Sequence, residues 1–325
     1  MKYGVTALGE ILIDFTTYGT SENGMALFEQ NPGGAPANVL VALENLGVNT
    51  AFIGKVGDDT HGHFLKETLE KYKVNTEGVI LDKNFFTTLA FVSLKNGERE
   101  FAFARKPGAD TQLKESEVNC EIIKNSSIFH FGSLSLTDEP SRGATLFAIS
   151  EAKKNNLLIS YDPNYRTLLW NSKEEAIEKM CSVIKYVDIM KISDEETELL
   201  TGIKDPSKAG EFLLNQGVLC VFITLGAEGA LMKTKDFEIQ LKGKERKVID
   251  TTGAGDSFWG AILYKILKSN KKISEFTKED GVEFLTFANI VAGLCVEKRG
   301  AIPAMPKLEE VLKEFVTTQL YSYKK

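Results

Sequence analysis

Short apolar runs bounded by glycine alternate with amphipathic stretches along this chain, and that rhythm predicts its elements. Residues 3–9 and 11–15 read as strands, the second interrupted by Asp14 between Ile13 and Phe15. Val39, Leu40, Leu43 and Leu46 fall at helical spacing after Gly33-Gly34 and stop at Gly47. A strand at 51–53 leads to a helix carrying Phe64, Leu65, Leu69 and Tyr72. From 128 onward the alternation is regular, with strands at 128–131, 157–161, 187–192, 218–224 and 229–232 and helices at 141–155, 173–185 and 194–200. Such alternation predicts a doubly wound, mostly parallel α/β sheet with helices on both faces. Residues 87–105 break the rhythm. Two β-prone runs flank Asn96-Gly97, the signature of a hairpin, so a small antiparallel sheet is expected, formed by about 11–32 and 87–106 as a lid on a single domain spanning 1–325.

The chemistry concentrates at turns between these elements. Ile249 to Phe258 reads as a strand end, a small-residue turn (Thr251, Thr252, Gly253, Ala254, Gly255) and a helix. Consecutive N–H groups at a helix N-terminus suit an anion such as phosphate. Asp256 beside such a site would repel the ligand unless it accepted a proton from an attacking hydroxyl, which points to phosphoryl transfer. The turn alone is equally compatible with a plain helix cap. Gly33 and Gly34 before a helix, with Asn38 one turn in, suit close approach of a polyol, and they also suit an ordinary glycine turn. Asp14 is either an edge residue or an acceptor for sugar hydroxyls. Asp162, Ser193, Thr224 and Asp250 each fall at or just past a predicted strand end, where open α/β sheets gather their ligands. Neither a Gly-x-x-x-x-Gly-Lys-[Ser/Thr] loop nor a Gly-x-Gly-x-x-Gly after the first strand is present, which disfavours a P-loop enzyme and a dinucleotide-binding dehydrogenase.

Composition narrows the partners. A formal charge of −6 gives no footprint for nucleic acid or an anionic membrane. Cys120, Cys181, Cys220 and Cys295 are isolated in apolar surroundings, so free thiols in a reducing compartment are expected. The N-terminus lacks the form of a signal peptide and no apolar run is long enough to span a bilayer, which makes cytoplasm the expected location. His61 and His63 bracket Gly62, but only distant His130 remains to join them, so no metal site is assigned there.

Asn31 to Asn38 and Asp250 to Phe258 together resemble the two signatures of the ribokinase-like (PfkB-type) carbohydrate kinases, in order and in separation, and the likeness runs along nearly the full length. Within that family, Asp162-Pro163-Asn164-Tyr165-Arg166 and Lys298-Arg299-Gly300-Ala301-Ile302-Pro303 look like the fructokinase branch. The resemblance implies a ribokinase-like three-layer fold and ATP-dependent phosphorylation of a ketose hydroxyl, with fructose foremost. Its rivals are a 2-keto-3-deoxygluconate or aminoimidazole-riboside kinase and, from another class, a non-catalytic sugar- or nucleotide-binding regulator. It further implies Asp256 as base, Gly253, Ala254 and Gly255 as anion hole, and Asp14, Gly33, Gly34, Asn38, Arg105 and Arg166 as substrate contacts. For Arg105 and Arg166 a surface ion pair is the competing role. Thr224, Gly226, Gly229 and Asn289 resemble nucleotide-binding positions, and Asp250 with Thr252 matches a site for K+. The family's Asn-x-x-Glu near Mg2+ appears as Ser193-Asp194-Glu195-Glu196, so Glu196 carries over and Ser193 is a departure. An apolar lid face with Phe91, Phe101 and Phe103 suggests a homodimer formed through the lid.

Overall fold

The computed structural model describes residues 2–95 and 98–322. Its main sheet contains nine strands: β1 (Tyr3–Leu8), β4 (Thr50–Gly57), β5 (Asn75–Asp82), β8 (Ser126–Gly132), β9 (Leu158–Asp162), β10 (Ile189–Ser193), β11 (Cys220–Thr224), β12 (Ala230–Lys233) and β13 (Glu238–Leu241). They lie in the order β13-β12-β11-β10-β9-β8-β1-β4-β5, parallel from β5 to β11 and antiparallel at β12 and β13. The remaining strands, β2 (Leu12–Thr20), β3 (Ala26–Gly33), β6 (Leu89–Lys95) and β7 (Glu98–Ala104), form a second sheet. Here β2 and β3 pair antiparallel, as do β6 and β7, and β2 joins the two hairpins by running parallel to β6. The Asn96-Gly97 turn expected between β6 and β7 lies outside the described residues.

Strand order reverses at β1, which has β4 on one side and β8 on the other. Such a switch point opens a crevice at the carboxyl ends of the strands. The chain leaves β1 there through Gly9-Glu10-Ile11 and enters the small sheet, so the two sheets meet at the crevice.

Among the described residues, ten α-helices flank the sheets: α1 (Ala35–Asn45), α2 (Thr60–Lys71), α3 (Cys120–Lys124), α4 (Ser141–Lys154), α5 (Lys173–Ser182), α6 (Asp194–Thr201), α7 (Pro206–Asn215), α8 (Ala254–Ser269), α9 (Lys278–Cys295) and α10 (Leu308–Ser322). One core cluster packs α1, α8 and α9 on the sheet, with Phe222, Trp259 and Phe284 at its centre; the other packs α4 and α5 on the opposite face around Phe129, Phe131 and Tyr161. Six of the named elements, β5, β13, α3, α7, α9 and α10, were not predicted from the pattern. The expected strand end at 249–250 is corrected: the segment is irregular, and both Ile249 N and Asp250 N donate to Val296 O.

Helices α1 and α8 approach closely at a glycine. A Cβ on Gly260 would lie 2.8 Å from Ala42 Cβ and 3.1 Å from Val39 O, so no larger residue fits without moving the helices apart. Under α8, a polar group crosses an otherwise apolar core. Trp259 Nε1 donates to Ser160 Oγ at 3.0 Å, and Ser160 Oγ is 2.9 Å from His130 Nδ1. Burial holds the His130 imidazole down to about 3, so it is neutral and acts as a hydrogen-bonding spacer. Trp259→Phe keeps the ring packing but removes the donor, leaving buried polar atoms short of a partner. It should lower the unfolding free energy by about 1–3 kcal/mol in a urea titration; an unchanged midpoint would remove this group from the interactions that fix α8 on the sheet.

Candidate active site

Two helix N-termini, α1 and α8, define the site. Gly34 precedes α1 with φ 114°, and a Cβ there would meet Glu10 O at 2.5 Å, so the sharp entry requires glycine. Glu10 fixes this entry from below: its Oε1 accepts from Ala35 N at 2.9 Å, and burial pushes its carboxyl up to about 7. The α8 helix opens at Gly253 in the left-handed region (φ 78°) with no side-chain cap, leaving first-turn N–H groups for an anion or solvent. Of the three expected anion-hole donors, Ala254 N also turns back to Thr251 O at 3.2 Å.

Asp256 stands in the first turn of α8, one turn before Gly260, and Asn38 stands one turn before Ala42 on α1. The tight helix contact therefore places them side by side, with Asn38 Nδ2 donating to Asp256 Oδ2 at 2.8 Å. Asn164 Nδ2 donates to the other oxygen, Oδ1, at 3.1 Å. Both oxygens of the buried carboxylate are thus oriented by neutral amides, which is unlike a simple cap. Asn38 Oδ1 is buried and has no hydrogen-bond partner in the structure, an acceptor that suits a substrate hydroxyl.

Asp14, on β2, faces this group. Gly33 lies against it, since a Cβ there would come within 2.2 Å of Asp14 Oδ2. Burial raises the Asp14 carboxyl to about 6; Arg166 pulls it down, while Asp256 and Asp250 push it further up. Arg166 is exposed, with Nη1 donating to Tyr165 O at 3.0 Å. Arg105 is placed differently. Its guanidinium is buried at the end of β7, paired with Asp110 at 2.8 Å and donating to Thr137 Oγ1 and Leu134 O.

The nucleotide candidates gather at the other end of the crevice. Ser193 and Thr224 are register partners on β10 and β11. Gly226 and Gly229 both have positive φ in the turn that follows, and a Cβ on Gly229 would clash with Leu241 O at 2.0 Å. Asn289, on α9, donates to that same carbonyl at 3.2 Å, which brings α9 to the turn. Ser193 caps α6 in a reciprocal box with Glu196, whose Oε2 accepts from Ser193 N and whose Oε1 accepts from Tyr165 N, both at 2.8 Å. Asp250 Oδ1 accepts from Thr252 N and Oγ1, and its Oδ2 accepts from Gly300 N at 3.0 Å. His61 packs edge-on against Phe15 and His63 pairs with Asp58 at 2.8 Å, both outside this group.

The sequence reading assigned no role to Glu10 or Asn164. Glu10 falls between the two apolar runs, next to Gly9, where a polar residue gives no signal of its own. Asn164 lay in a quoted signature, but its approach to residue 256 is created by tertiary packing.

The fold and this site define a carbohydrate kinase: residues 3–308 match the model of the pfkB family carbohydrate kinases, and the chain belongs to that family. It is 45% identical over 306 residues to a probable fructokinase-5 of Arabidopsis thaliana, covering 93% of this chain and 94% of that one. Among solved structures, fructokinase with bound ATP from Xylella fastidiosa superposes with a TM-score of 0.90 at 30% identity, covering 98% and 99% of the two chains. A fructokinase double mutant from Vibrio cholerae O395, in its fructose, ADP and potassium ion bound form, gives 0.86 at 31% identity over 96% and 98%.

Because Asp14 gains its proton well above the usual carboxylate range, a sugar site that uses it as an acceptor should weaken as pH falls through about 6. The sugar KM should rise there while the ATP KM changes little, and Asp14→Ala should raise the sugar KM across the whole range. Equal effects on both constants would move Asp14 out of the sugar site.

Proposed function

We propose that this chain is an ATP-dependent kinase that transfers the γ-phosphoryl group to the terminal hydroxyl of fructose, giving fructose 6-phosphate. The observation that carries the reading is Asp256, buried at the N-terminus of α8 with its two oxygens oriented by Asn38 and Asn164. The sugar lies between Asp14, the Gly33-Gly34 turn and Asn38, where carboxylate and amide acceptors meet its hydroxyls. Asp256 takes the proton of the attacking hydroxyl. The N–H groups of the 253–255 turn face the transferred group, and because its transition state is loose, positioning and charge stabilisation supply most of the rate. Arg166, exposed near Asp14, extends the sugar site. Arg105 serves it from a distance, bracing the base of the small sheet against Asp110 and Thr137.

ATP fits the turn of Thr224, Gly226 and Gly229 with Ser193 and Asn289 around it, since the positive-φ glycines leave open backbone there. Mg2+ would come with ATP, since it binds substrate phosphates together with one or two carboxylates rather than a dedicated protein cage. Glu196 is placed to order that region, although both of its oxygens accept backbone N–H groups. Bound Mg2+ supplies charge neutralisation on the phosphates. The oxygen-rich segment at Asp250 and Thr252 fits a hard monovalent cation such as K+, below the anion turn.

The small sheet acts as a lid that excludes water, a smaller nucleophile than the sugar. The small sheet leaves Tyr18, Met25, Leu27 and Phe28 exposed over its two faces, while Phe91 stacks on Phe15, and these exposed apolar residues suit a homodimer formed through the lids. The side chain of Phe101, also expected on that face, lies outside the described residues. The four cysteines are free, and no described helix is long and apolar enough to cross a membrane; a cytoplasmic location accords with both.

A coupled ADP-release assay over fructose, ribose, 2-keto-3-deoxygluconate and nucleosides, with and without potassium, tests the substrate. Fructose should give the highest kcat/KM; absence of ADP release with every acceptor would favour a binding regulator instead. Asp256→Asn should lower kcat by about 10²–10⁴-fold while sugar binding persists, and a near-normal rate would overturn the base assignment. Sedimentation at micromolar protein should give a dimer that Phe28→Asp dissociates, whereas a monodisperse wild-type monomer would remove the lid interface.

A further inference from the structure

Glu196 is the acid to which the family resemblance and the structure give different tasks. The resemblance sets it near Mg2+, yet its side chain is buried with both oxygens taken by backbone donors: Oε2 accepts from Ser193 N and Oε1 from Tyr165 N, each at 2.8 Å. The second of these bonds is the unusual one. A capping box needs only the first, whereas Tyr165 belongs to the segment after β9, 31 residues earlier in the chain. That segment is pinned at three points. Asp162 Oδ2 accepts from Lys191 Nζ at 2.7 Å, and Lys191 in turn lies against the anion turn, since a Cβ on Gly255 would come within 3.3 Å of its Nζ. Pro163 O accepts from Ser133 N at 3.0 Å, and Tyr165 N donates to Glu196. Asn164, between the last two, has φ 51°, in the left-handed region that asparagine tolerates better than most side chains.

We infer that Glu196 is a positioning residue for phosphoryl transfer: by holding Tyr165 N it fixes the backbone that carries Asn164, and through Asn164 it orients the Asp256 carboxylate. The inference rests on the reading of Asp256 as the base. The path consists of two hydrogen bonds from adjoining residues, Tyr165 N to Glu196 Oε1 at 2.8 Å and Asn164 Nδ2 to Asp256 Oδ1 at 3.1 Å. Asn38 sets the other oxygen of Asp256 from α1, so a displaced Asn164 leaves the carboxylate free to turn about that one bond. Misplacing a reacting group by about 1 Å is enough to cost about 10²-fold in rate. Through its other oxygen the same acid caps α6, which begins at Ser193, the register partner of Thr224. Glu196 therefore ties the nucleotide end of the crevice to Asp256, and it does so through backbone N–H groups rather than through a metal ion.

The test is the single-turnover rate of phosphoryl transfer at saturating fructose and MgATP, with free Mg2+ varied. Asn164→Ala and Glu196→Ala should each slow transfer by on the order of tenfold or more, while the steady-state KM for fructose and for MgATP stays within about twofold of wild type. The doubly substituted chain should be no more than about twofold slower than the slower single variant, because both changes break one path. A third variant leaves the acid in place. An ester in place of the amide between Asn164 and Tyr165, introduced with the α-hydroxy analogue of tyrosine, removes the donor to Glu196 Oε1. It should slow transfer by about threefold or more and leave the dependence on free Mg2+ unmoved, and it keeps the inference testable if Glu196→Ala does not fold. Losses that multiply in the double variant, an ester chain that transfers at the wild-type rate, or a Glu196→Ala rate restored by raised Mg2+ would each overturn the inference. Asp256→Asn measured alongside separates the two claims: near-normal transfer in that variant overturns the base assignment, whereas its loss together with a wild-type rate in the ester chain overturns the role of Glu196 alone.

Discussion

The close approach of α1 and α8 at Gly260 is the contact on which the site depends. With only a hydrogen at Gly260, the helix backbones come near enough for Ala42 and Val39 to fill the contact. One turn earlier on each helix, the same proximity brings Asn38 to Asp256. Asp256 and its orienting amide are separated by 218 residues in sequence, and each is set by a helix that begins at a glycine turn. Helix packing and the geometry of the site are therefore coupled. A side chain at 260 would create strain in the core and also separate the amide from the carboxylate.

A second set of contacts ties the turn before α8 to the small sheet. Asp250 clasps Thr252 on one oxygen and Gly300 on the other, and the neighbouring Arg299 lies over the Tyr18 ring and pairs with Glu29 at 3.8 Å. The lid strands and the turn thus share one loop. Glu196 plays a comparable part on the other side, since its two oxygens hold the start of α6 and the segment carrying Asn164.

The charge balance of the site follows from the fold. Strand ends at a topological switch point collect polar residues, and here several of them are acids. Asp14 is displaced upward by burial and by its acidic neighbours. The cations divide by location: Arg166 is exposed beside Asp14, whereas Lys191 is buried behind the turn. Arg105 belongs to neither group, being spent on Asp110 at the base of the lid.

Much of this was determined by the sequence alone. Periodicity located most of the parallel strands and most helices, because apolar alternation reports directly which residues face the core. The two glycine turns were legible because a positive φ, as at Gly34 and Gly253, or a close backbone contact admits almost no other residue. The family was legible from those turns taken together. What only the tertiary structure decided were contacts between distant segments. Asn164 meeting Asp256, Glu10 beneath Ala35, Arg105 turning inward and Lys191 lying behind Gly255 leave no periodic trace, because side-chain chemistry at one position is silent about which partner packing will bring to it. The strand expected before Asp250 failed for a related reason: its apolar residues, Val248 and Ile249, are exposed, and its backbone bonds to Val296 rather than to a neighbouring strand.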